Sequence, residues 1–529
     1  MKKSLLFAGF AALALCASAQ NPFAYGLKMD GVTAGVVTGT AFTVNYSLNA
    51  DAESAGINVI KISDMSVAKT VALEGEQLKK GTHAVEITTD GLEADVEYGY
   101  MVQTKGAAID AAKEIFSDFT SGSAHQYWSP YGLACDNNPN SAHFGRVLIT
   151  ECQGNMGGTY FAKASGVGVG LYEYDPQGNP VANQAGTYGY NPFQWTSGTY
   201  QSDKSAKSQK FQLKKVRISH DGRIFLGCLN TVNNPIYTVN PDNLGEWTPL
   251  FEGTIDADAS GLVMANETDV VAGPSAAFDV CGEGESTKIV NLASIYGQSY
   301  AYGNYTCYEY PIGASNTWSA PATDEVMPYS LQYTISAQSV SVAYDEDGNG
   351  IWYCQYRGAP TDAQPAIKHV TWNATEQEWV EDYSDITTVA RGGAIAFNKD
   401  YSLLAFPGGN NLLKVYEVSK SEAGAPVLTE KYSVSTSTVR GFNDICFDYA
   451  NNIYVCDNGK EVMQQIQLPI ADPTTQVPCP ENQLFTVATP TAVTDINCAK
   501  VATKKVIENG QVVIIKGDKK YNVMGAEVK

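Results

Sequence analysis

A chain of 529 residues is too long for one ordinary hydrophobic core and long enough for two or three domains. Its 35 Lys and Arg stand against 56 Asp and Glu, a formal net charge of −21, so a polyanion would be repelled and nucleic-acid binding falls away as a function. Thirty-one Tyr, 48 Gly and many Val- and Thr-rich runs point to an all-β protein of short strands and tight turns.

Residues 1–19 read as an export leader. Lys2 and Lys3 supply its charged start, Leu5 to Leu15 its apolar run, and Ala17, Ser18 and Ala19 a small-residue cleavage site before Gln20. That apolar run is too short to span a bilayer, and no later stretch reaches the roughly 18 residues of a membrane helix. Lipidation at Cys16 is the competing reading, but Leu15 is a poor residue directly before a lipidated cysteine. The mature chain is expected outside the cytoplasm, secreted or at the cell surface or outer membrane, with no transmembrane span.

Ten cysteines follow the leader, and an even number in an exported chain permits disulfides. Most sit inside apolar strand runs, where a free thiol packs as a small hydrophobe. Cys281 with Cys307, and Cys479 with Cys498, lie outside the repeats described below and are the expected bridges.

Residues 22–120 read as a separate β-sandwich. Alternating runs at 42–46, 58–62, 70–73, 83–87 and 98–102 are separated by Gly-, Asp- and Asn-rich turns. The run 91–102, with Leu92 ahead of Tyr98 and Tyr100, resembles a fibronectin type III domain near its tyrosine corner. The resemblance implies an Ig-like sandwich in which a Tyr hydroxyl ties back to the backbone. Such domains serve mostly as spacers or interaction modules.

From about residue 127 one unit recurs: an apolar–small–apolar run, an acidic or Asn turn, then large apolar residues ending in a small one. Its six copies are 132–150 (with an insertion), 215–227, 261–273, 339–354, 393–405 and 443–457. Most are followed by a further strand, as at 170–175, 235–239, 366–372, 412–418 and 462–467. Three of the five steps between copies match the roughly 40–50 residues of a propeller blade, and the two long ones need insertions. Radial stacking buries both faces of each blade, and closing the ring leaves only short, protected edges. A long sandwich or a β-helix would carry similar hairpins, but the period favours blades. The copy at 443–457 looks like the NHL-type repeat and like blades of the gluconolactonase/regucalcin group. The resemblance implies a six-bladed β-propeller over residues 125–470.

Motifs of catalysis are scarce. His83, His125, His143, His220 and His369 form no HExxH and no paired metal spacing, and there is no P-loop and no GxSxG. A lactonase of the resembled group would need a Glu, an Asn and an Asp converging on a central cation, and no such triad stands out. Asp256, Asp258, Ser260 and Glu267 have the spacing of a calcium loop, without the helical pattern that should flank it. Turn chemistry explains that string more simply, so Ca²⁺ stays a minor candidate and no other cofactor is implied.

The candidate ligand site follows from propeller geometry. The chain starts each innermost strand, and leaves the second, on one face of the disc around the channel. Arg391 and Arg440 stand beside Gly at two such starts, the latter followed by Asn443 and Asp444; Asn410, Asp457 and Asn458 stand at two exits. These groups suit sugar hydroxyls or a carboxylate. Their competing role is to cap carbonyls or pair with neighbouring Asp.

Residues 471–504 read as a Thr- and Pro-rich linker. In 505–529, three short strands set apart by Asn509-Gly510, Gly517-Asp518 and Gly525 make a small β-meander. This end resembles the C-terminal sorting domain of type IX secretion cargo in Bacteroidetes, above all at 520–528. The resemblance implies transfer by the outer-membrane secretion machinery. The expected protein is a non-enzymatic binder of a glycan or protein ligand. The alternative is an extracytoplasmic propeller hydrolase or lactonase with a divalent cation in its channel.

Overall fold

The computed structural model describes residues 20–116, 124–152, 161, 167–193, 213–228, 234, 236–255, 261–264, 270–272, 277–293, 303–319, 333–335, 341–354, 367–385, 394–409, 412–422, 424–435, 442–457, 459–489, 503–508, 511–516, 519–522 and 527–528. Its architecture is all-β: a sandwich, a propeller and a C-terminal meander. Among the described residues no helix is long and apolar enough to cross a membrane.

Alternation builds the sandwich. Along Ala41–Leu48 every second side chain, Phe42, Val44, Tyr46 and Leu48, is buried. That strand lies between Ala24–Asp30 and Gly81–Thr88 in one antiparallel sheet. The facing sheet runs Val36–Val37, Phe485–Val487, Glu97–Lys105, Ser54–Lys61, Ser66–Leu73, with Thr474–Pro478 paired further along Glu97–Lys105. At its corner the Tyr98 hydroxyl accepts the Glu93 N–H at 2.9 Å.

Two of those strands come from the stretch expected to be a linker. The chain leaves the sandwich after Lys105, builds the propeller, and returns to pair Thr474 with Lys105. The Gly106 N–H donates to the Pro473 carbonyl at 3.0 Å, so departure and return share one point. Val477, Phe485 and Val487 are buried in the sandwich core, with the Phe485 ring 4.7 Å from Phe42 and 5.8 Å from Tyr98. The propeller is therefore an insertion into the sandwich. Composition hid this because two short strands carry few apolar residues among Thr and Pro.

Six sheets make the propeller. Their innermost strands are Pro130–Cys135, Leu213–Ile218, Phe278–Cys281, Ser341–Tyr344, Ala396–Phe397 and Phe442–Phe447, which define blades 1 to 6. An apolar cluster fills each gap between neighbours, for example Leu148 against Leu226 between blades 1 and 2, and Val290 against Val342 between blades 3 and 4. The last gap joins Leu133 and Tyr172 of blade 1 to Tyr454 and Met463 of blade 6, so the ring is closed. Blade 6 takes its outermost strand from before the propeller: Lys113–Phe116 pairs antiparallel with Val462–Gln467, and Glu114 meets Lys460 at 3.5 Å. A fully paired outer edge protects the seam.

Two expectations are corrected here. The third repeat does form a hairpin, Gly261–Met264 with Val270–Ala272, but Phe278–Cys281 is the third wall of the channel. The 3-10 turn Gly284–Ser286 after that strand broke the repeat pattern. Cys281 also cannot bridge Cys307: Cys281 sits opposite Lys288 and Cys307 opposite Leu292, two strands apart and offset along them, beyond disulfide reach. Cys281 and Cys479 are free thiols, and Cys498 lies outside the described residues. The C-terminal meander has four strands rather than three: Thr503–Glu508, Gln511–Lys516, Lys519–Asn522 and Glu527–Val528.

The sandwich docks on blades 1 and 6. Phe144, Tyr449 and Ala450 join its core beside Phe23. Behind them the Asn21 N–H donates to Asn452 Oδ1 at 2.8 Å, and Gln467 Nε2 donates to Asn21 Oδ1 at 2.9 Å, both buried. Buried amides hydrogen-bonded in this way fix the relative register of two packed units.

Candidate functional site

The turn after each innermost strand explains why Asp and Asn recur in the repeats. At the strand's end in blades 2, 4, 5 and 6 one side-chain oxygen accepts a backbone N–H from across the turn. Asp345 takes Gly350, Asn398 takes Leu403, and Asp448 takes Asn452, each at 2.9 Å, while the Ser219 hydroxyl takes Arg223 at 3.1 Å. Such clamps satisfy backbone donors that the hairpin leaves unpaired.

These turns surround a cavity of about 400 Å³, lined by the last residues of all six innermost strands. Its walls are apolar at Val280, Ala343 and Ile395, and its rim carries Asn137, Asn138, His220, Lys399 and Tyr401. The volume falls in the range of small-molecule sites, ~300–1,000 Å³. The Phe397 and Tyr401 rings lie 5.2 Å apart, and the Tyr401 hydroxyl meets His220 Nε2 at 3.3 Å, so blades 5 and 2 touch across the mouth. Burial pushes the Tyr401 phenol up, which keeps it a neutral donor. Asn137 Nδ2 donates to the Phe447 carbonyl at 3.0 Å, while its Oδ1 is buried with no partner among the described residues.

Arg217 and Asp279 also line the cavity and belong to an ion cluster that continues behind it to Asp444 and Lys215. Arg217 Nε faces Asp279 at 3.3 Å, and its two terminal nitrogens donate to Asp444 at 2.8 and 3.2 Å. Asp444 further accepts Lys215 Nζ at 2.8 Å and the Leu133 N–H at 2.9 Å. Burial alone would raise the Asp444 carboxyl, but Arg217 and Lys215 hold it below its ordinary value. Burial lowers the Lys215 ammonium against the pull of Asp444, and it raises the Asp279 carboxyl against the pull of Arg217. Two cations and two carboxylates neutralise one another within hydrogen-bonding distance, the condition under which buried ions persist.

The site expected from sequence lies on the opposite, strand-start face. Of its residues, Asn443, Asp444 and Asp457 are described and all are buried. Asn443 Nδ2 donates to the Pro130 carbonyl at 2.7 Å, and Asp457 Oδ1 caps the N–H groups of Gly459 and Lys460 at 2.9 Å. Asn443 Oδ1 is buried with no partner among the described residues, as Asn137 Oδ1 is, but Asn443 does not line the cavity. Arg391, Arg440, Asn410 and Asn458 lie outside the described residues, as do Asp256, Asp258, Ser260 and Glu267. The strand Gly253–Ile255 precedes the calcium-like string and pairs with Gly261–Met264 inside it, Ile255 opposite Leu262, where the motif requires a flanking helix and an unpaired loop. Among the described residues no three His, Cys, Asp or Glu side chains group as metal ligands. Asn137, His220, Lys399 and Tyr401 were missed; the available signal was their position just past Asp136, Ser219 and Asn398, at the ends of the innermost strands of blades 1, 2 and 5.

The sandwich borders this same face. Lys399 Nζ sits 4.8 Å over the ring of Tyr449, Asn398 Nδ2 donates to Asn451 Oδ1 at 3.1 Å, and the Glu481 N–H donates to Asn140 Oδ1 at 2.9 Å. One flank of the mouth is thus built from turns that also hold the sandwich.

No protein-family model matches the chain, and no curated protein matches it. Similar solved structures include a structural genomics protein of unknown function from Bacteroides thetaiotaomicron VPI-5482, 9% identical, covering 83% of this chain and 98% of that one with a TM-score of 0.36. They also include a gluconolactonase from Xanthomonas campestris, 10% identical, covering 69% of this chain and 98% of that one with a TM-score of 0.38. At such scores the propeller assignment rests on the six sheets and their closed ring, not on the likeness.

Proposed function

We propose that this is an exported, non-enzymatic binding protein that takes a neutral glycan into the cavity on the hairpin-turn face of its propeller. The observation that carries this reading is Asn137 Oδ1, an acceptor buried at the cavity wall without a partner among the described residues. Leaving such an atom unsatisfied costs ~1–3 kcal/mol, and a ligand hydroxyl would recover it. The Phe397 and Tyr401 rings line the same cavity, and the charged groups Arg217, Asp279 and Asp444 are already paired. A neutral, hydroxyl-rich ligand fits that balance better than a charged one.

The sandwich, in this reading an Ig- or fibronectin-like module, acts as a fixed flank of the site. The leader and the C-terminal meander carry the protein out of the cell by a type IX route. A protein loop presenting hydroxyl or amide groups is the second ligand class. The cation-dependent hydrolase is less favoured, because the cluster carboxylates Asp444 and Asp279 are already engaged by Lys215 and Arg217.

A glycan array probed with the labelled full chain tests the reading. Retained binding to neutral oligosaccharides that is lost in Asn137→Ala supports it. Turnover of a lactone or glycoside with a divalent cation, or no glycan binding beside tight capture of a protein, replaces it with one of the other two.

A further inference from the structure

Cys135 ends the innermost strand of blade 1, and Cys446 lies near the end of the innermost strand of blade 6. Both line the cavity, and their sulfurs are 3.1 Å apart, about 1 Å more than a disulfide bond of ~2.05 Å. The other strand cysteines, such as Cys228 and Cys354, are buried in the gaps between blades. We propose that Cys135 and Cys446 form a reversible disulfide that staples blade 1 to blade 6 and locks the ring at the seam where the chain closes it.

The bond joins residues 311 positions apart, so it would tie together the two ends of nearly the whole propeller. The non-covalent closure by Lys113–Phe116 secures the outer edge of blade 6 only. At the inner edge the two blades are joined by hydrogen bonds, Asn443 to Pro130, Leu133 to Asp444 and Asn137 to Phe447, so a disulfide there adds a covalent constraint to a non-covalent seam, and a long closed loop gains most from it. Cys135 is the more accessible sulfur, Cys446 being buried, so an oxidant entering by the cavity meets Cys135 first. The Cys135 thiolate attacks a disulfide oxidant and forms a mixed disulfide, releasing one thiol. Cys446 then displaces the second thiol. One sulfur–sulfur bond forms and one breaks, and two electrons and two protons end on the oxidant's sulfurs. Burial pushes the Cys135 thiol well up, so the exchange is slow at neutral pH.

The test uses the full chain and does not depend on its export or ligand. The protein is incubated with oxidised or reduced glutathione, alkylated after unfolding, and mapped by peptide mass spectrometry without reduction. A peptide pair joined through Cys135 and Cys446 is expected, with a raised unfolding midpoint that disappears in Cys135→Ser and in Cys446→Ser but persists in Cys228→Ser. Alkylation of both thiols after oxidation, a glutathione adduct that never resolves, or a bridge to another cysteine would overturn the proposal.

Discussion

Asp444 of blade 6 grips Arg217 of blade 2 through both carboxylate oxygens, at 2.8 and 3.2 Å, inside the propeller channel. Lys215 joins from the same strand as Arg217, and Asp444 has no exposed surface. The carboxylate therefore holds together two blades that are not neighbours in the ring. Replacing Asp444 by Ala leaves two buried cations facing each other and is expected to cost about 3–5 kcal/mol. Denaturant unfolding measures it, with the exposed pair Lys431–Glu417 as a control whose loss leaves the midpoint unchanged. A loss below ~1 kcal/mol for Asp444→Ala would show the cluster to be expendable.

The sandwich depends on the segment after the propeller. Phe485 is buried against Phe42 and Tyr98, and Phe485→Ala is expected to cost about 3–5 kcal/mol. A chain ending at Pro473 also removes the strand paired with Glu97–Lys105. Limited proteolysis of that truncation should cut within residues 24–105 while the blades resist. Equal protection of the two regions would contradict the insertion.

Stability should fall as pH rises through the mildly acidic range because of Asp448. Burial pushes its carboxyl up to about 7, against hydrogen bonds from Asn452 and Ala450 that favour the charged form. The folded chain thus holds a proton that the unfolded chain, with an ordinary value near 3.8, gives up. The stabilisation is complete below about pH 4 and is lost by about 1.4 kcal/mol per unit up to about pH 7. Asp448 lies at the junction with the sandwich, bonded to Asn452 beside Asn21. Unfolding midpoints of the natural chain and Asp448→Asn, compared from pH 4 to 8, should converge in slope only above pH 7. Parallel curves throughout would remove Asp448 as the cause.

Much of the fold could be read from local pairing. The two inner strands of a blade adjoin in sequence, so 443–457 and 215–227 announced themselves by alternation and a polar turn. Strands whose partners lie hundreds of residues away left no such mark. Lys113–Phe116 pairs with Val462–Gln467, and Thr474–Pro478 with Glu97–Lys105, and neither pairing has a local signature. The site was harder still. Arg beside Gly at 391 and 440 looked more like ligand chemistry than the Asp- and Asn-rich turns, which were put down to backbone geometry. The clamps at Asp345, Asn398 and Asp448 are indeed backbone geometry. Neighbours such as Asn137 and Tyr401 are not consumed by that task, and only the closed ring brings them to one cavity.

Titration of the best-scoring neutral oligosaccharide against two paired variants tests the central claim, that the ligand sits on the hairpin-turn face. Asn137→Ala with Tyr401→Ala should weaken binding by about tenfold or more, the loss of about 1.4 kcal/mol expected for a missing hydrogen bond and ring contact. Arg391→Ala with Arg440→Ala should leave the affinity unchanged. The reverse pattern, with binding lost only in the arginine pair, would place the site on the strand-start face and contradict the account.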